Sequence, residues 1–120
     1  MHDLYIGLMS GTSLDGADGV LADFSSGRLR VMAAASESFD EAFRAELLAL
    51  NAPTHNELHR AAVAANQLVA SYASVVRALL AAAAAEGIEA ADVRAVGAHG
   101  QTVRHQPQRR SPDAAGAGYT

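Results

Sequence analysis

The 120 residues, half of them hydrophobic, make one ordinary domain or a piece of a larger one, with a core kept modest by the large share of Ala. A formal net charge of −4, with acidic and basic residues interspersed, gives no basic face and excludes a nucleic-acid footprint. The lack of Cys excludes disulfides and thiolate metal sites.

The start, Met1-His2-Asp3, shows no basic stretch leading into an apolar run, so no secretory signal is expected. Leu4 to Met9 reads as a buried strand. Ser10 to Asp18 is rich in Gly, Ser, Thr and Asp, which is turn chemistry, and Gly19 to Phe24 reads as a second strand. After a tight turn at Ser25-Ser26-Gly27, Leu29, Val31 and Ala33 alternate with Arg28, Arg30 and Met32 in a third strand that runs to about Ser38. Short connections make these three an antiparallel meander.

Asp40 is placed to cap a helix from about Glu41 to Leu50, ended by Asn51-Ala52-Pro53. Thr54-x-x-Glu57 has the form of a capping box. Behind it, Leu58, Ala61, Ala62, Ala65, Leu68, Val69, Tyr72, Val76, Leu79, Leu80 and Ala83 step by three and four, which predicts one long helix to about Glu86 with Gly87 as its stop. The longest Ala-rich stretch, Leu79 to Ala85, is too short to span a membrane. Arg94 to Ala98 is a short strand after a helical crossover and is expected to run parallel to an earlier strand. Residues 106–118 read as a polar loop, and Tyr119-Thr120 as the start of another strand. The expected order is β-β-β-α-α-β, an α/β half-layer whose mixed sheet has three antiparallel strands, one parallel strand, an open edge and one uncovered flank.

Two clusters carry chemistry. In Gly7 to Asp18, Gly11 and Gly16 allow positive φ and close approach of a ligand to the backbone. Successive amides there can form an anion-binding concavity, and Ser10, Thr12 and Ser13 add hydroxyl donors, a set suited to phosphate oxygens. Asp15 and Asp18 would repel phosphate and fit better as partners of metal-bound water or as caps on the turn. A P-loop is excluded because Thr12 stands where its Lys belongs, and a dinucleotide fingerprint because a strand follows the glycines instead of a helix. A plain hairpin loop is the alternative.

The second cluster, Gly97 to Pro107, follows the parallel strand, at the strand end where ligands of open α/β sheets gather. His99 and Gln101 suit hydrogen bonds to sugar hydroxyl or amide groups. His99 and His105 do not form a helical metal pair and have no carboxylate close in sequence. A locally packed His-Gly turn is the alternative.

Met9-Ser10-Gly11-Thr12-Ser13-Leu14-Asp15-Gly16-Ala17-Asp18 and Ala98-His99-Gly100-Gln101-Thr102-Val103-x-His105-x-Pro107, in this order and at this separation, resemble the anhydro-N-acetylmuramic acid kinase family. The resemblance runs over essentially the whole chain but covers only the front part of such an enzyme. It implies the ribonuclease-H-like, actin-like ATPase fold, of which residues 1–120 would be an incomplete N-terminal lobe. It also implies use of ATP with Mg²⁺ and water to open 1,6-anhydro-N-acetylmuramic acid and form N-acetylmuramic acid 6-phosphate in peptidoglycan recycling. By the same resemblance Gly11, Thr12, Ser13, Leu14, Asp15, Gly16, Ala17 and Asp18 bind ATP, and His99, Gly100, Gln101 and Thr102 lie on the sugar side.

Met9 stands where the wider superfamily often has an acidic residue, which is normal for this family and argues against a metal ligand there. The family's general-base Asp belongs to a later motif, outside these residues, so no catalytic residue is expected in this chain and the chain alone is expected to be inactive. The expected partners are a small anhydro-amino-sugar and, in the full-length protein, a second copy. No nucleic acid or membrane is expected, and a cytoplasmic location is. The other readings are a related kinase for another sugar and a non-catalytic binding remnant.

Overall fold

The computed structural model describes residues 2–11 and 13–104; the loop expected over 106–118, the strand start at 119–120 and His105 lie outside them. The elements are β1 (Leu4–Ser10), β2 (Gly16–Asp23), β3 (Arg30–Ser38), α1 (Glu41–Ala49), α2 (Glu57–Ala85), a 3₁₀ turn (Ala90–Asp92) and β4 (Val93–Ala98). They form one open sheet in the order β3-β2-β1-β4, with β1 antiparallel to β2, β2 antiparallel to β3, and β1 parallel to β4. The result is the expected mixed α/β sheet, compatible with an actin-like half-domain.

Alternation on β1 buries Leu4, Ile6 and Leu8, which meet Ala17 and Leu21 of β2. Tyr72, Val75, Leu79 and Ala83 of α2 close this core from above. Each such Leu is worth about 1.5–3 kcal/mol when fully buried. The helix packs closely on β2 and β3, because Gly19 leaves room at the contact: a methyl group there would stand 2.5 Å from Val75 Cγ1 and 2.9 Å from Leu8 Cδ2. A second, smaller core gathers Leu14, Phe43, Leu47, Leu50 and Ala64 between α1, α2 and the first turn. Asp40 caps α1 as expected, its Oδ1 accepting from the Phe43 amide at 2.7 Å.

Four sequence expectations change. First, β2 begins at Gly16 rather than Gly19, so Gly16, Ala17 and Asp18 belong to the ladder, facing Ser38, Glu37 and Ser36. Second, a bulge opposite Leu21/Ala22 inserts Met32, so that Met32 and Ala33 both pack on the core while Leu29 and Val31 are left 61 % and 54 % exposed. Third, the buried stripe of α2 is Ala64, Tyr72, Val75, Leu79 and Ala83; Leu58 and Val69 face outward. Nearly every turn of this Ala- and Val-rich helix offers an apolar candidate, and the position of Gly19 on the sheet decides which one is used.

Fourth, the capping box is only half formed. The Glu57 carboxylate accepts from the Thr54 amide at 3.4 Å, but the Thr54 hydroxyl accepts from Arg60, and Asn56 caps α2 in the left-handed region. Arg60 also grips Glu46 through two bonds of 2.6 and 2.9 Å, tying α2 to α1 and holding the Glu46 carboxyl below its ordinary range. At its other end α2 stops as expected: Gly87 takes φ +77°, and the Gly87 and Ile88 amides donate back to the carbonyls of Ala84 and Ala83. Taken whole, α2 is long and apolar enough to cross a membrane, which the stretch from Leu79 to Ala85 alone is not; its alanines carry that hydropathy and one face lies on the sheet.

At the amino end of the sheet the buried Asp23 carboxylate accepts from the amides of Asp3 (3.0 Å) and Ser25 (2.9 Å) and from His2 Nδ1 (3.1 Å). These donors, the Asp3 amide first, hold its pKa far below the usual carboxylate value. A depressed pKa adds stability that is present above the unfolded-state value, about 3.9, and is lost as pH falls toward the native value. Asp23→Ala is therefore expected to lower Tm at pH 7, and the gap from wild type should narrow once pH drops below about 4. Thermal melts at pH 7, 5 and 3 test this; a gap that stays constant across them contradicts it.

Candidate ligand site at the carboxyl ends of β1 and β4

Because β1 and β4 are parallel neighbours, the segments that follow them leave the sheet side by side. The His99 amide continues the ladder by donating to the Leu8 carbonyl at 2.9 Å. Two residues on, the Gln101 side chain reaches Ser10, with its amide nitrogen toward the Ser10 carbonyl (3.3 Å) and its oxygen accepting from the Thr102 amide (3.2 Å). The two clusters, about 90 residues apart in sequence, are thus in contact.

The first cluster resolves into a short turn and a strand start. The Leu14 amide donates to the Gly11 carbonyl at 3.2 Å, closing a four-residue turn, and the Asp15 carbonyl accepts from the Phe39 amide at 3.0 Å. Neither Gly11 nor Gly16 uses the positive φ open to it. Among the described residues of this cluster the left-handed one is Leu14 at φ 59°, whose side chain is buried in the core between α1 and α2. Gly16 serves a different need: a Cβ there would lie 2.3 Å from the Glu37 carbonyl oxygen. Gly11 is partly exposed, and Ser13 and Asp15 are exposed beside it, whereas Thr12 lies outside the described residues. Ala17 is fully buried under α2. Asp18 points to the opposite face of the sheet, where its Oδ1 accepts from the Ser36 hydroxyl at 2.8 Å.

Ser10 is a correction to the set of phosphate donors. It is buried, and its hydroxyl is committed to Gln101. Gln101 is likewise occupied within the protein, which leaves His99, with its exposed side chain, and the partly exposed Thr102 to face a ligand. Asp18 and His99 line one shared groove of about 330 Å³ with Met9, Val20, Gly7 and Gly97, on the sheet face away from α2. A hollow of about 390 Å³ lies at α1/α2, away from both clusters, and one of about 410 Å³ lies at the start of α2, where Val103 and Arg104 at the far end of the second cluster line it with Leu58 and Ala61. Among the described residues no group of three His, Asp or Glu side chains is gathered to hold a metal.

Sequence reading placed Tyr72 only in the helical stripe. Its hydroxyl donates to the His99 carbonyl at 2.6 Å, and burial pushes its pKa above the ordinary value. The signal available was chemical: the only residue with a polar tip in an otherwise aliphatic stripe needs a partner when buried. Farther along, Arg104 Nε pairs with Glu57 at 3.1 Å, so the segment after β4 runs along α2 toward its first turn.

An open mixed sheet whose parallel pair delivers two polar segments to one end defines an α/β domain with the arrangement at which ligands of such sheets gather. Sequence comparison narrows the class. The pattern of the anhydro-N-acetylmuramic acid kinase family matches residues 3–117, and the chain belongs to that kinase family. Relatives carrying that name include proteins from Albidiferax ferrireducens (60 % identical, covering all of this chain and 29 % of the relative) and Variovorax paradoxus (57 %, covering 98 % and 30 %). A third, from Bordetella pertussis, is 57 % identical over 87 % of this chain and 27 % of its own length. The chain therefore spans less than a third of the length of these relatives.

Proposed function

We propose that this chain is the N-terminal lobe of an ATP-dependent kinase that opens 1,6-anhydro-N-acetylmuramic acid with water and phosphorylates it to N-acetylmuramic acid 6-phosphate, a cytoplasmic step of peptidoglycan recycling. The observation that carries this reading is the contact between the two family segments at the adjoining ends of β1 and β4. The partly exposed Gly11 and the exposed Ser13 and Asp15 suit contact with phosphate oxygens, with the Ser13 hydroxyl as a further donor. His99 faces the outer groove from the neighbouring segment and suits a sugar hydroxyl.

ATP would supply the transferable phosphoryl group, and this lobe would orient its oxygens through backbone amides and keep the sugar side at a fixed spacing. Mg²⁺ commonly takes one or two carboxylates together with phosphate oxygens and water. Asp15, exposed next to the turn, is placed for that use, while Asp18 is engaged by Ser36. No residue here is assigned the base that activates water.

ATP added to the ¹⁵N-labelled chain is expected to shift the Gly11, Ser13 and Asp15 amide resonances, while the same chain gives no ATP-dependent phosphorylation of the anhydro-sugar. Shifts absent from the turn, or turnover by these 120 residues alone, would refute the reading.

A further inference from the structure

Tyr72 sits in the middle of α2, 9 % exposed, with Val75, Leu79 and Leu68 fixing the helix around it. Its ring fills the first core, but its hydroxyl reaches past the core to the end of the sheet. There it donates to the carbonyl of His99, the first residue after β4. One oxygen on the helix thus holds the segment after β4, and that segment in turn grips Ser10, the last residue of β1, through Gln101. The His99 peptide is held on both sides, its amide by Leu8 and its carbonyl by Tyr72, while its imidazole stays exposed. The Ser10–Gln101 contact adds a second tie two residues beyond His99.

We propose that Tyr72 is a positioning residue: its hydroxyl, carried on a rigid helix, fixes the spacing between the phosphate-side turn and the sugar-side segment, and so couples the two halves of the cleft. The naming of those halves rests on the function proposed above; the coupling itself rests on the hydrogen bonds. A Phe would fill the same volume, so the ring's packing is kept while the His99 carbonyl loses its partner on α2. His99 is then held by its amide to Leu8 alone, and the spacing it sets to Ser10 through Gln101 is loosened.

The test is amide hydrogen exchange on the ¹⁵N-labelled chain, comparing wild type with Tyr72→Phe. Exchange at Ser10, Gly11, His99 and Gly100 is expected to rise about tenfold, the size of one lost hydrogen bond, while Leu21 and Leu79 keep their protection. A chain with 3-fluorotyrosine at position 72 retains the hydroxyl and is expected to exchange as wild type does. In wild type, ATP should also move the His99 and Gly100 resonances; in Tyr72→Phe that remote shift is lost while the shift at Gly11 and Ser13 remains. Unchanged exchange in either segment overturns the proposal, and so does a loss of protection that extends to Leu21 and Leu79, which would make Tyr72 a general core residue. If ATP moves no resonance in wild type, the kinase reading fails, and the exchange data still decide the coupling.

Discussion

Gly16→Ala is expected to be among the most damaging single-methyl changes in this chain. The added carbon would stand 2.3 Å from the Glu37 carbonyl oxygen and 3.1 Å from Ser38 Cα, both backbone atoms that no rotamer change can move. Relief requires β2 and β3 to part where Gly16 faces Ser38, at the end of the ladder that carries the turn. Overpacking against fixed atoms costs about 1–3 kcal/mol, and the upper end applies where backbone must shift. For a domain of this size that is a fall in Tm of roughly 10 °C. Because the displaced residue adjoins Asp15, the amide resonances of Gly11 to Asp15 should move as well. A melt within a degree or two of wild type would show that the strands are not held at this distance.

Leu14 is the second position of large effect, for two reasons that act in opposite directions. Its side chain, 4 % exposed, fills the core formed with Phe43, Leu47, Leu50 and Ala64. Its backbone at φ 59° lies in the left-handed region, which costs a residue other than Gly about 1–2 kcal/mol. Leu14→Ala removes the packing and keeps the strain, so a loss of about 2–4 kcal/mol is expected. Leu14→Gly removes the packing and the strain together. In most settings Gly is the worse of the two; here it should be no less stable than the Ala variant. Urea denaturation of both variants tests this, and a Gly variant clearly below the Ala variant would contradict the left-handed assignment. The strain marks how the turn is built: Leu14 is driven inward as an anchor, and Ser13 and Asp15 on either side are thereby turned out to solvent.

The element order and the parallel pairing of the last strand were legible because they rest on long-range regularities. A capped helical period of this length between strands leaves few connections other than a crossover. What was not legible depended on neighbours distant in sequence. Gly16, Ala17 and Asp18 have the composition of a turn, yet β3 supplies a ladder for them, and Gly16 is small because Glu37 comes close, not because φ is positive. The αL position went to Leu14, which no local propensity favours, because the core between α1 and α2 takes its side chain. Ser10 and Gln101 each read as ligand donors when taken alone, and they satisfy each other once β1 and β4 are adjacent. The bulge at Met32 left the spacing of β3 looking regular in sequence while turning Leu29 and Val31, before it, away from the core that Ala33 still meets.

The sheet order also sets the sequence of events in folding. The β3-β2-β1 meander joins neighbours through short connections, whereas the β1–β4 pair closes a loop that contains both helices. Contacts of such large separation form late and are the first to open, since their closure entropy is recovered only when the rest is in place. β4 is also the strand most open to solvent along nearly its whole length. Detachment of that one strand would carry His99 and Gln101 away from Ser10 while the meander stays intact, so occupancy of the cleft and docking of the final strand are thermodynamically linked, and a bound nucleotide would slow the opening of β4 in proportion to its affinity.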